Sequence, residues 1–163
     1  MKKSFILLAT FTLFSCVACN LLTDVQSDSK LTFKATTSSK TSQKDTVLFT
    51  GSAIKSFNDS TGEVTLSDTL TPKKLNSFHW IKCYLGTDSL FTATLTSDIM
   101  SSLVNDLVLN HNLHDGKYYF EDGYPDWIDN LGATNLRAQN KQKRADTWAK
   151  FIAQLKLEGK YKK

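Results

Sequence analysis

Three groups of side chains have types and spacings that can do chemistry. His111 and His114, followed by Asp115, offer two imidazoles and a carboxylate, ligand types that suit zinc. Glu121, Asp122, Asp126 and Asp129 surround Pro125. Paired carboxylates can act as general acid and base in hydrolysis, and their oxygens suit calcium. The third group is aromatic: Tyr118-Tyr119-Phe120 leads through Asp122 and Tyr124 to Trp127. Flat rings beside acids hold sugars, the ring stacking on C–H faces while the carboxylates take hydroxyls.

One of these groups stands out as a candidate. On a strand running into a turn, residues three apart face opposite sides, so the histidines do not converge and neither a metal nor another cofactor is expected. The four acids lack the alternating spacing of an EF-hand loop and read as solvated loop carboxylates. Tyr119, Tyr124 and Trp127 with Asp122 are therefore the candidate ligand-binding residues, although the same pattern describes an edge strand packing on a core. No G-x-S-x-G, P-loop or H-E-x-x-H motif occurs, so no catalytic residue is assigned and the reading leans away from an enzyme.

Cysteine chemistry marks the other end. Met1-Lys2-Lys3 precedes an apolar run from Phe5 to Phe14, and Leu13-Phe14-Ser15 leads into Cys16. About ten apolar residues are too few to cross a hydrocarbon core, which needs about 20. A processed signal peptide fits better. The segment resembles the bacterial lipobox, with Leu13 three residues before the cysteine and small Ser15 directly before it; Phe14 departs from the usual small residue. Cys16 is the expected acylation site and Cys19, after Val17-Ala18, the alternative. Thioether-linked and palmitate-type chains would make this a lipoprotein stably anchored in a membrane, since each buried methylene contributes about 0.8 kcal/mol. Cys83, in an apolar alternation, is expected to be a buried and inert thiol.

The elements that must position the candidates follow from pattern. Residues 1–15 read as the signal peptide and residues 16–45, rich in Ser, Thr and Lys, as a flexible tether, with a possible short strand at Leu31-Thr32-Phe33. Residues 46–163 form the expected single domain. Strand composition marks residues 46–50; residues 53–57 and 63–66 flank the turn-rich Asn58-Asp59-Ser60-Thr61-Gly62. Residues 78–85 and 90–96 alternate with period two and should pair antiparallel. Residues 107–113 and 117–121 flank His114-Asp115-Gly116, a strong hairpin signal. Trp148, Ile152 and Leu155 recur at helical spacing within one basic helix over residues 136–158, expected to pack on the sheet. The fold class is α+β: an antiparallel, hairpin-rich sheet with a C-terminal amphipathic helix packed on it.

Hydrophobic content of 40% and charged content of 22% are ordinary for a globular domain. Charge is unevenly placed: residues 137–163 carry nine Lys/Arg against two Asp/Glu, and residues 20–136 carry nine against fourteen. A basic end can attract anionic surfaces, but outside the cytoplasm nucleic acid is not an expected partner.

With the signal, the tether and the runs Asn105-Asp106-Leu107-Val108-Leu109, Gly116-Lys117-Tyr118-Tyr119, Asp122-Gly123-Tyr124-Pro125 and Lys143-Arg144-Ala145-Asp146-Thr147-Trp148 in view, the chain resembles small cell-envelope lipoproteins of the Bacteroidetes type that have no assigned activity. The resemblance implies an envelope location, with the outer membrane as the expected site, and supplies no catalytic residues. It also implies O-glycosylation at Asp45-Thr46-Val47, Asp59-Ser60-Thr61, Asp68-Thr69-Leu70 and Asp88-Ser89-Leu90. The expected function is a non-enzymatic binding or interaction module for a glycan or an envelope protein; the alternatives are a small hydrolase using Asp122 or Asp126, and an inhibitor or assembly factor.

Overall fold

The computed structural model describes residues 30–36, 45–126 and 132–163. The signal peptide, both candidate acylation cysteines, most of the expected tether, Trp127 and Asp129 lie outside the described residues. Within them the protein is a mixed α+β fold, a curled nine-stranded sheet with its C-terminal helix in the concave face.

The strands are β1 (Leu31–Thr36), β2 (Asp45–Thr50), β3 (Ile54–Asn58), β4 (Glu63–Leu66), β5 (Trp80–Leu85), β6 (Asp88–Ser97), β7 (Val108–Asn112), β8 (Lys117–Glu121) and β9 (Tyr161–Lys162). They lie in the order β2-β1-β5-β6-β7-β8-β4-β3-β9. The β3–β4, β5–β6 and β7–β8 pairs are antiparallel, as hairpin turns at the expected places require. Gly62, at φ +74, closes the first of these where only a residue without Cβ fits: an added Cβ would collide with the Phe120 carbonyl oxygen.

Two pairings depart from an antiparallel hairpin sheet. β6 runs parallel to β7, and β3 parallel to β9. The β6–β7 connection, residues 98–107, is pinned by backbone bonds in both directions between Val104 and Tyr124 (2.8 Å each). Asp98 in the same connection accepts from the Asn110 amide and the Leu113 N–H. Both faces of β7 are consequently buried, Leu109 and His111 inward, Val108 and Asn110 on the other side.

The start of the domain also differs from expectation. The folded part begins with β1 at Leu31 rather than at Thr46, because Leu31, Phe33 and Ala35 alternate with polar residues and are fully buried. β1 is an interior strand, between β2 and β5. The possible short strand at Leu31-Thr32-Phe33 is thus present and runs on to Thr36; the polar stretches on either side dominate the local composition and conceal that it belongs to the core.

The expected single helix over residues 136–158 is two: α2 (Ala133–Lys143) and α3 (Ala145–Leu157), broken at Arg144, where φ is −96° and ψ 1°. A four-residue helix, α1 (Pro72–Leu75), caps the loop before β5, with Pro72 in its first turn where a missing N–H costs nothing. α3 supplies the heart of the core. The Phe151 ring meets Phe33, Phe57, Phe91 and Phe120 edge-on at centroid distances of 5.2–6.5 Å, and Trp148 packs beside it. Phe33 and Phe57 stand on strands six places apart in the sheet, so one ring can touch both only because the sheet curls around it. Burying side chains such as Phe151 and Leu155 contributes about 1.5–3 kcal/mol each. Cys83 is buried among them, and burial pushes its thiol far up, which keeps it protonated and inert.

Candidate binding surface

β8 decides where the aromatic candidates point. Alternation sends Tyr118 and Phe120 into the core and leaves Lys117, Tyr119 and Glu121 on the outer face. The Tyr119 hydroxyl donates to Asp115 Oδ2 at 2.6 Å, and Asp115 Oδ1 accepts from the Lys117 N–H at 2.9 Å. Lys117 Nζ in turn donates to Glu63 Oε2 at 3.0 Å across the sheet. The bond to Asp115 raises the Tyr119 pKa to about 12, and the reciprocal bond from Tyr119 holds the Asp115 carboxyl below its usual range. Tyr119 is therefore a fixed, half-exposed ring set among charged hydrogen-bonding groups.

Tyr124 is not such a ring. It is buried, and its hydroxyl donates to the Ser97 carbonyl at 3.1 Å. Its task is to lock the 98–107 crossing to the end of β6, and Pro125, after a cis peptide bond, follows at the surface. The Gly-Tyr-Pro sequence reads as an open loop, but the crossing folds over it.

Asp122 is occupied as well. Its Oδ1 accepts from Arg144 Nη2, and its Oδ2 lies 2.8 Å from Lys141 Nζ. Arg144 also reaches Asp106 at 2.8 Å, so the carboxylate ties the strand end to the helix break. The hydroxyls and carboxylate of the candidates thus point to three different anchors: Tyr119 to the hairpin turn, Tyr124 to β6, Asp122 to the helices. The fourth candidate, Trp127, lies outside the described residues.

Glu121 is the acid with the most unusual setting. It is half-buried, and burial raises its pKa, with the charges of Asp126 and Asp98 adding to the effect; a hydrogen bond from Asn110 and the charge of Arg137 oppose it. Arg137 itself donates to the Pro125 carbonyl at 2.9 Å. Beside this group, Asp98, Met100, Leu103, Tyr124 and Pro125 line a surface cleft of about 410 Å³.

The histidines separate as strand geometry requires: His111 is buried on β7, His114 exposed in the turn. Among the described residues no group of three or more His, Cys, Asp or Glu is placed to hold a metal ion, and no helix is long and apolar enough to cross a membrane.

Two features of the site region are hidden in the sequence. In the sequence Arg144 is one of several cations of a basic helix, whereas in the fold it is the hub that neutralises Asp122 and reaches Asp106. Tyr118 and His111 stack inside the sheet with their rings 4.7 Å apart; the two residues sit in one hairpin, and only the β7–β8 register, His111 opposite Tyr118, reveals the pair. No protein-family model, curated protein or solved structure matches the chain.

Proposed function

We propose that this chain is a lipid-anchored cell-envelope protein whose domain is a non-enzymatic binding module, with envelope glycans as the ligand class. The observation that carries the reading is Tyr119: an outward ring held in one orientation by Asp115 and flanked by Lys117, Glu63 and Glu121. A preoriented ring among donors and acceptors suits a sugar face, because little rotamer entropy remains to be lost on binding. The hydrolase alternative is weakened at Asp122, where both carboxylate oxygens are taken by cations.

The anchoring half of the proposal rests on the lipobox-like segment ending at Cys16. The ligand half is tested on a glycan array with the full-length chain. Binding that falls at least tenfold in Tyr119→Ala supports the outer face of β8. Binding that persists in Tyr119→Ala and in Trp127→Ala removes the aromatic group as the ligand site.

A further inference from the structure

A cleft in the sheet is lined by a buried tyrosine whose hydroxyl has no partner, and that ring stacks on a buried histidine with an unpartnered nitrogen. β4 and β8 pair only at Glu63↔Tyr119 and Val64↔Tyr118. Beyond that point β4 stays with β3 as far as Leu66, and a cleft of about 350 Å³ opens between it and the β7–β8 turn. Val64, Leu66, Leu70, Pro72 and Tyr118 form its apolar walls. Tyr118 is 7% exposed and stacks on His111, which is 6% exposed. Neither the Tyr118 hydroxyl nor His111 Nδ1 has a hydrogen-bond partner in the fold.

Leaving a buried polar group unsatisfied carries a free-energy cost. Two such groups lie on touching rings, and Tyr118, which also lines the cleft, marks a place where a partner molecule would recover part of that cost. Elsewhere on these strands the fold meets the requirement itself: Thr96 and Asn110, buried on the other face, bond to each other. The rim narrows the chemistry further. Lys117 pairs with Glu63 at 3.0 Å and Asp68 with Lys55 at 3.1 Å, so the lysine and both acids of the lining are already neutralised. A charged ligand would bring an uncompensated charge against apolar walls.

We propose that this cleft binds a small uncharged molecule with an apolar body and a single hydroxyl, of the phenol or aromatic-alcohol class, whose hydroxyl pairs with Tyr118 Oη. A hydroxyl both donates and accepts, so it can pair with the Tyr118 hydroxyl in either direction; a carboxylate only accepts. The volume lies within the range of small-ligand pockets. Tyr118 and Tyr119 project to opposite faces, so the cleft stands or falls independently of glycan binding on the outer face.

The probe is 2-naphthol, with naphthalene and 2-naphthoate as controls, titrated into the full-length chain with blank micelles as the reference for partitioning. The expected result is saturable binding of 2-naphthol that shifts the His111 ring resonances, with naphthalene weaker and 2-naphthoate weaker still. Tyr118→Phe is expected to reduce 2-naphthol affinity roughly three- to tenfold, the worth of one neutral hydrogen bond, and to leave naphthalene unchanged. The proposal is overturned if 2-naphthol does not saturate or if naphthalene binds equally well. Unchanged 2-naphthol affinity in Tyr118→Phe overturns it too. Should Tyr118→Phe fail to fold, the His111 resonances of the unaltered chain with the two controls decide between the same outcomes.

Discussion

A tyrosine hydroxyl that donates to a carboxylate gives up its proton only at higher pH, and Tyr119 with Asp115 makes that testable on single residues. Tyr119 has a folded-state pKa raised to about 12 from an ordinary 10.0, so its contribution to stability is present below pH 10 and is lost as pH climbs through 12. Asp115 is shifted down, so its share is present above the usual carboxylate range and is lost as pH falls. In a tyrosinate absorbance titration, the difference between the unaltered chain and Tyr119→Phe is expected to show one group ionising near 12. Asp115→Asn should bring that group back toward 10; a Tyr119 that ionises near 10 with Asp115 intact would show that the bond does not form in solution. Packing makes an equally local prediction. Phe151→Ala, at the ring that four sheet phenylalanines contact, is expected to cost about 3–5 kcal/mol in urea unfolding. Trp80→Ala, on the solvent side of β5, is expected to stay within about 0.5 kcal/mol.

The two C-terminal helices differ in what they bury, and their stability should differ accordingly. α3 seats Phe151, Gln154 and Leu155 in the core, while Ala133 is the buried residue of α2. α2 is held instead by polar contacts, Arg137 to Pro125 and Asn140 to the Asn105 carbonyl, together with the cations on Asp122. Hydrogen exchange is expected to be markedly faster in α2 than in α3, because local opening there exposes little apolar surface. Equal protection would mean that the helices open as one unit. The break at Arg144 carries no proline or glycine to announce it, and helical spacing continues on both sides, so the sequence reads as a single helix. Strands were legible where alternation is local: Ile81 and Cys83 inward with Trp80 and Lys82 outward, or the turn at Asp115-Gly116. β1 was nearly lost between polar stretches. The parallel β6–β7 pairing was not legible at all, since it depends on the crossing at residues 98–107, where Asp98 accepts from the Asn110 amide. The same distance in sequence hid the site: Asp122 looks free until Arg144 reaches it, and Tyr124 looks like an exposed ring until residues 98–107 cover it.

At the scale of the whole molecule, a sheet that begins at Leu31 shortens the connection to the proposed anchor. From Cys16 to Lys30 a fully extended chain reaches roughly 50 Å at most, so the domain would work close to the membrane surface. Its excess of nine Lys/Arg over two Asp/Glu in residues 137–163 offers a second, purely electrostatic route to an anionic membrane. Salt separates the two. Electrostatic attraction between exposed groups is screened over about 3 Å at 1 M salt, whereas two or more buried acyl chains hold regardless of ionic strength. In cell fractionation the unaltered protein is expected to stay in the membrane pellet through a 1 M salt wash and to incorporate labelled palmitate. Cys16→Ala is expected to lose the label and the salt-resistant attachment, while Cys19→Ala keeps both. The reverse pattern would move the acyl group to Cys19 and leave the anchor intact. Complete release of the unaltered protein by salt, with no label on either cysteine, would leave the basic helix as its hold on the membrane and end the lipoprotein reading.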